Sequence, residues 1–338
     1  MSNTYAAPEH CHPLLWPTTS AVVDDSRPVA SSVMSDLQQY SQKWLSQSPH
    51  PIAVLGSSGK TNSQDPALLA TRIAFKDADR ASVFAMTSRL TNNINYFNAT
   101  RDILMRWSHR NVPTGNPIDE TRLEGMIWAY DLIACDLSDT DKTPILNWFE
   151  QLRVMKRAWA FGPITSTNNH RIHQLKMLIM LDTVLGRHND LQDDIRSAKQ
   201  YAEINLHDSS GASVDYLQRS ALYYHNYVIQ PWLEISLLTG CCQLPVIRAF
   251  SFLSQHLLSN HVGNEFSHSQ AKIDGLRAQG GFSYARKGGR FDVTKAAPSI
   301  VLYYTLDHDA PDPALWAILQ QAKASPRLVF LKARRLLW

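Results

Sequence analysis

From Ser35 onward, apolar residues recur every three to four positions along nearly the whole chain, and convincing alternation of period two is almost absent. That periodicity allows helices and little else. "SDLQQYSQKWL" places Leu37, Tyr40, Trp44 and Leu45 on one face. A long helical region, broken once, is expected over about 66–110. In "NPIDETRLEGMIWAYDLIA", Asn116 suits a cap, Pro117 the first helical position, and Asp119 and Glu120 the positive end of the helix dipole. Leu123, Met126, Ile127, Tyr130, Ile133 and Ala134 then mark its buried stripe. Further helices are expected over about 141–160, 167–187, 189–206, 213–239, 244–259, 295–306 and 312–323. About ten helices with short connections predict an all-α fold, in which antiparallel helix pairs curl into an α/α toroid with a cleft on one rim. No internal sequence repeat accompanies this pattern. Residues 1–32, rich in Pro, Ser and Thr, read as an irregular arm, and 33–338 as a single toroid domain. The Gly, Ser and Pro of "SPHPIAVLGSSGKTNSQDP" mark a long surface loop, a candidate lid.

Composition narrows the partners. With 33 Lys and Arg against 30 Asp and Glu, the formal charge of +3 is too balanced to announce a nucleic-acid binder. No apolar run approaches the ~20 residues of a membrane span, so membrane insertion is not expected. The N-terminal segment has no basic region followed by an apolar stretch, so the chain is expected to be cytoplasmic or to take an export signal from outside it. Cys11, Cys135, Cys241 and Cys242 form no C-x-x-C pair and read as small apolar groups rather than a disulfide framework.

Three constellations could carry chemistry. "NNHRIH" sets Asn168 and Asn169 at a helix start, where side chains and free backbone N–H groups can hold a carboxylate, and His170 and His173 share a face. The alternatives are an Asn cap with exposed histidines, or metal ligation, for which H-x-x-H is a weak signal. "DYLQRSALYYHNYVIQPWLEI" gathers Arg219, Tyr223, Tyr224, His225 and Tyr227, with Arg219, Tyr223 and Tyr227 along one stripe of a single helix. It reads as an aromatic core helix, or as a site where an arginine lowers a tyrosine's pKa. "GGFSYARKGGRFD" offers Arg286, Lys287 and Arg290 between Gly-Gly pairs, a solvated loop or an anion grip without P-loop spacing. No G-x-S-x-G motif supports an acyl hydrolase.

"RWSHRNVPTGNPIDETRLEGMIWAYDLI" (106–133), "STNNHRIHQLKMLIMLDTVLG" and "DYLQRSALYYHNYVIQPWLEI" occur in the order, and with the local wording, of the alginate lyase family of polysaccharide lyases, which the chain resembles over about 35–240. The resemblance implies an incomplete α/α barrel that cleaves uronate polysaccharides by β-elimination without a metal or other cofactor. Carried across, Asn169 would neutralise the carboxylate beside the acidic C5 proton, and His170 would be the base or assist that neutralisation. Arg219 would bind the carboxylate or tune the tyrosine, and Tyr224 would protonate the bridging oxygen and, in one version, also act as base. Asn168, His225, Lys60, Arg286 and Arg290 are the expected wider substrate contacts. The chemistry suits these types, because abstracting a proton beside an ionised carboxylate builds charge on an anion, which fixed donors can stabilise. Two departures stand out: the family arginine further upstream of the tyrosine is here Leu217, and the lid offers only Lys60. The expected partner is an anionic polysaccharide (alginate, glucuronan or a related acidic exopolysaccharide), the expected state a monomer, and the family's usual place of work the periplasm or the cell exterior. The alternatives are a non-catalytic module for acidic glycans and a helical scaffold.

Overall fold

Residue types at the helix ends set where the elements begin and stop. In the computed structural model, which describes residues 12–17, 31–307 and 312–338, α1 is Ser31–Trp44. Asp65 caps α2 (Pro66–Thr91) by accepting from Ala67 N and Leu68 N, with Pro66 at the first position. Asn92, left-handed at φ 52°, ends α2, and Asn93 caps α3 (Ile94–Arg110), so the expected single break falls on two asparagines. There follow α4 (Glu124–Ile133), α5 (Asp139–Ala158), α6 (Asn169–Val184) and α7 (His188–Asn205). The chain continues through α8 (Val214–Arg219), α9 (Leu222–Thr239), α10 (Gln243–Leu258) and α11 (Lys272–Gln279). It ends with α12 (Ala297–Leu306), α13 (Pro313–Gln321) and α14 (Pro326–Leu337). Among the described residues the extended pairing is one isolated bridge, Glu265 to Gly289.

The fold is an α/α toroid. Helices α2, α4, α6, α9, α12 and α14 pack in succession, α14 lying against both α12 and α2. Outside them, α1 packs on α2 and α14, α3 on α2, α5 on α3 and α6, α7 on α6, α10 on α9, and α13 on α12. The inner helices are accordingly buried on several faces, and every residue of α4 is buried. Gly125 lets α4 meet α2 at close range, since a Cβ there would lie 2.4 Å from the Ala78 carbonyl oxygen. No helix among the described residues is long and apolar enough to cross a membrane.

Four expectations need correction. The helix expected from Asn116 starts only at Glu124, after a 3₁₀ turn over Thr121–Leu123. Asp119 and Glu120 instead bind loop backbone: Asp119 accepts from Ser57 N at 2.5 Å, and Glu120 from Thr114 N at 2.6 Å. The helix expected over 213–239 is two, because Ser220 turns left-handed (φ 49°) and the distant Glu265 caps α9, accepting from Leu222 N at 2.6 Å and Tyr223 N at 3.0 Å. Helices α11 and α14 were not anticipated. The cysteines are not simply apolar groups either: Cys241 and Cys242 are bonded to each other, and Cys135 is disulfide-bonded too. Of the expected arm, residues 12–17 hold Leu15 and Trp16 in the core, fixed by Asp131 accepting from Leu14 N and Leu15 N. Residues 1–11 and 18–30 lie outside the described residues.

Candidate active site

The inner helices end at a cleft of two adjoining compartments, about 470 and about 520 Å³, that share Ser57, Ile118, Tyr223 and Tyr227 as common wall. The first is built on the start of α6, the α8–α9 junction and α11, beneath the loop running from Gly56 to Asp65. Three contacts hold that loop in place. Asp119 binds Ser57 N and Oγ, Gly280 O accepts from Ser63 N at 2.8 Å, and Lys60 O accepts from Arg277 Nε at 3.1 Å. Gly280 permits the approach, since a Cβ there would lie 1.7 Å from Thr61 O.

At the head of α6, Asn168 caps the helix and Asn169 is buried. Asn169 Nδ2 donates to Asp215 Oδ1 at 2.5 Å, which fixes the amide and leaves its second N–H for another acceptor. Burial raises the Asp215 carboxyl to about 6 against the pull of Asn169. His170 Nδ1 lies 2.9 Å from Asn168 Oδ1, and an amide oxygen only accepts, so Nδ1 carries the proton and the Nε2 lone pair is open. Burial, reinforced by the charges of Arg219 and Arg277, lowers the imidazole to about 4, so it is neutral at ordinary pH.

Tyr224 is buried in the same compartment, its hydroxyl oxygen accepting from Arg277 NH1 at 2.5 Å. The guanidinium of Arg219 lies 3.9 Å from the centre of its ring and is ion-paired with Asp274. An arginine beside the tyrosine was expected to lower its pKa. The two arginines do pull that way, but burial outweighs them and raises the phenol well above its ordinary value. The break at Ser220 explains the geometry, because it turns Arg219 onto the ring face and leaves the hydroxyl to α11. Sequence reading missed Arg277, as well as Arg72, which lines the compartment with its guanidinium 5.9 Å from the Phe282 ring centre. The spacing of "KIDGLRAQ" carried no signal for the role of Arg277.

The second compartment is lined by charged and polar side chains of the inner helices, among them Glu124, Lys176, Arg327 and His173. Lys176 and Arg327 both pair with Glu124, the latter at 2.7 Å. Burial would raise the Glu124 carboxyl, but Arg327 and Lys176 hold it well below the usual carboxylate range. His173 therefore faces a different compartment from His170, and the two imidazoles do not converge as metal ligands would. Among the described residues no group of three or more His, Cys, Asp or Glu side chains is placed to hold a metal ion.

The remaining expected contacts sit elsewhere. His225 is a core residue, Nδ1 2.9 Å from Ser213 Oγ and Nε2 3.0 Å from Ala249 O, and lines neither compartment. Lys60 pairs with Asp65 at 3.0 Å. Arg286 and Arg290 are exposed outside the cleft, Arg290 donating to Asn260, because the Gly-Gly pairs serve the loop contact at Gly280 and the bridge at Gly289 rather than an anion grip. Leu217, at the family arginine's place, is exposed.

A family model described as alginate lyase matches residues 23–239. Among solved structures, an alginate lyase from Bacteroides ovatus superposes with a TM-score of 0.61 at 15% identity, covering 92% of this chain and 96% of that one. Alginate lyase A1-III from Sphingomonas species A1 gives 0.62 at 11% identity over 97% of both chains. A histidine-to-alanine variant of A1-III in complex with a tetrasaccharide gives 0.60 at 10% identity over 95% and 94%. Comparison with curated protein sequences found no match.

Proposed function

Because the chain belongs to the alginate lyase family of polysaccharide lyases, we propose that it cleaves a uronate-containing polysaccharide by β-elimination in the first compartment. The observation that carries the reading is a pair of neutral groups facing one cleft with opposite capacities: His170 with an open Nε2 lone pair, and Tyr224 with a protonated hydroxyl held by Arg277. The free N–H of the Asn169 side chain, at the positive end of α6, binds the carboxylate of the reacting sugar. That drains charge from C5 and makes its proton removable. His170 Nε2 takes the C5 proton, the C5 electron pair forms the C4–C5 double bond, and the C4–O bond breaks. The departing oxygen takes the Tyr224 proton. The products are a 4,5-unsaturated uronate end and a new hydroxyl end, and proton exchange with water resets both residues. Bound substrate carboxylate raises the affinity of His170 for the proton, countering the two arginines. Arg219 is a positioning residue here, fixing the tyrosine ring.

The test is incubation with polymannuronate, polyguluronate and glucuronan while following ultraviolet absorbance of the unsaturated product. Absorbance growing on at least one polymer is expected. Binding without absorbance on all of them would favour the non-catalytic glycan module instead.

A further inference from the structure

The elimination chemistry leaves the second compartment unused, although it adjoins the first through Ser57, Ile118, Tyr223 and Tyr227. His173 lines it, 3% exposed, and its Nε2 has no hydrogen-bond partner among the described residues. Its protonation state follows from its neighbours. Lys176 Nζ can only donate, and donates to Thr121 Oγ1 at 3.0 Å; among the described residues the hydroxyl proton of Thr121 has His173 Nδ1, 2.7 Å away, as its acceptor, and so points there. The imidazole proton is thus on Nε2, a buried donor without an acceptor, which is a costly arrangement unless a ligand supplies one. Four lining cations face three lining carboxylates, and one of these, Glu234, is already paired at 2.6 Å with Arg334, which lies outside the compartment. Lys295, exposed on the lining, makes no ion pair among the described residues. The compartment thus offers a neutral N–H donor and an uncommitted ammonium, a combination suited to a carboxylate.

We infer that the second compartment is a carboxylate subsite for the sugar adjoining the one whose bond breaks, with His173 Nε2–H and the Lys295 ammonium as its donors. The inference rests on the uronate lyase reading of the first compartment, since each uronate of such a polymer presents one carboxylate. The Tyr227 ring lies against the imidazole, centroids 4.3 Å apart, so the donor is reached as that ring swings aside and the site completes itself around the ligand.

The test uses the full chain with Tyr224→Phe to stop turnover, and calorimetry with oligouronates of increasing length from whichever polymer the wild type cleaves. Affinity should step up at the length that reaches the second compartment. His173→Phe should remove about tenfold of that step, the worth of one hydrogen bond to a charged group, and His173→Gln, which keeps an N–H donor, should restore part of it. Lys295→Ala, a surface change that leaves the core intact, should reduce the step and weaken its salt dependence. An undiminished step in either folded variant, or a loss in His173→Gln as complete as in His173→Phe, overturns the inference. A wild type that releases no unsaturated product from any polyuronate overturns the lyase reading itself, so the two failures are distinct.

Discussion

His170 and His173 stand three residues apart on one helix, yet they carry their protons on opposite nitrogens and face different compartments. The difference comes from their partners. Asn168 Oδ1, on the same turn, can only accept, so His170 is left with an open Nε2; Thr121, 52 residues away, accepts from Lys176 and donates to His173 Nδ1, leaving Nε2–H as a donor. One residue type at helical spacing thus presents an open lone pair in one compartment and an N–H in the other. The compartments differ likewise: the first is arranged around neutral groups poised to exchange protons, the second around buried charges neutralised by ion pairs.

The sharpest way to break that contrast is to remove the proton donor of the first compartment. Tyr224→Phe should cost about 10²- to 10⁴-fold in kcat while oligouronate binding persists, the span a positioned acid or base supplies. Near-normal turnover would remove Tyr224 from the mechanism. In the second compartment the largest effect is on stability. Lys176→Met leaves buried Glu124 with Arg327 as its remaining ion-pair partner and should destabilise the fold by about 3–5 kcal/mol, measured by denaturant unfolding. The same network sets acid behaviour. The Glu124 carboxyl is lowered in the folded state from 4.5, so its contribution is complete above about pH 4.5 and is lost as pH falls below that value. An unfolding free energy that is flat with pH from 5 down to 3 would contradict this.

A smaller effect joins the two halves of the first compartment. Arg277 holds the Tyr224 hydroxyl and the Lys60 carbonyl together, so Arg277→Ala should lower kcat by roughly ten- to a hundredfold, the worth of a charge-assisted hydrogen bond, with Arg277→Lys recovering part. It should also shift the pH profile. His170, lowered to about 4, stays a competent base above that pH and fails below it, so the acid limb of kcat/KM attributable to it lies near 4 in the wild type. Because the Arg277 charge is one cause of that lowering, its removal should move the limb upward, toward the ordinary 6.5. A limb near 6 that vanishes in Asp215→Asn belongs instead to the carboxyl behind Asn169.

What the sequence made legible follows the range of the interactions involved. Asn168 caps α6 within a few residues, so local wording located that helix start; Asp65 and the asparagine pair that ends α2 act at the same short range, and of them the sequence showed the boundary near 66 and a single break. The toroid was legible for the same reason, since an apolar period reports burial whatever the partner. The α8–α9 break was not, because it depends on a cap 43 residues from Leu222. Helix α14 was overlooked although Leu328, Val329, Leu331 and Leu337 give it an apolar stripe; what its period could not show is that Arg334 is buried with them, sandwiched at 4.3 and 4.5 Å from the ring centres of Trp128 and Trp338. At the site, Asn169, His170, Arg219 and Tyr224 all gather in the first compartment. Arg277 escaped notice because nothing near it in sequence marks α11 as the element that meets the tyrosine hydroxyl.

The smallest expected effect concerns the basic loop, which looked from sequence like an anion grip. Arg286 and Arg290 point into solvent beyond both compartments, and the Arg290 contact with Asn260 is an exposed one. Their charges lie within reach of a bound polymer only through water and salt, where Coulomb attraction is screened over about 8 Å at physiological ionic strength. Arg286→Ala and Arg290→Ala should therefore leave kcat/KM within about twofold, in keeping with surface substitutions worth at most about 0.5 kcal/mol. Measured on long polymer at low salt, where such charges act most strongly, a tenfold loss in either variant would mean that the polyuronate track extends past the second compartment across this rim. The cleft would then be longer than the two compartments that the helices enclose.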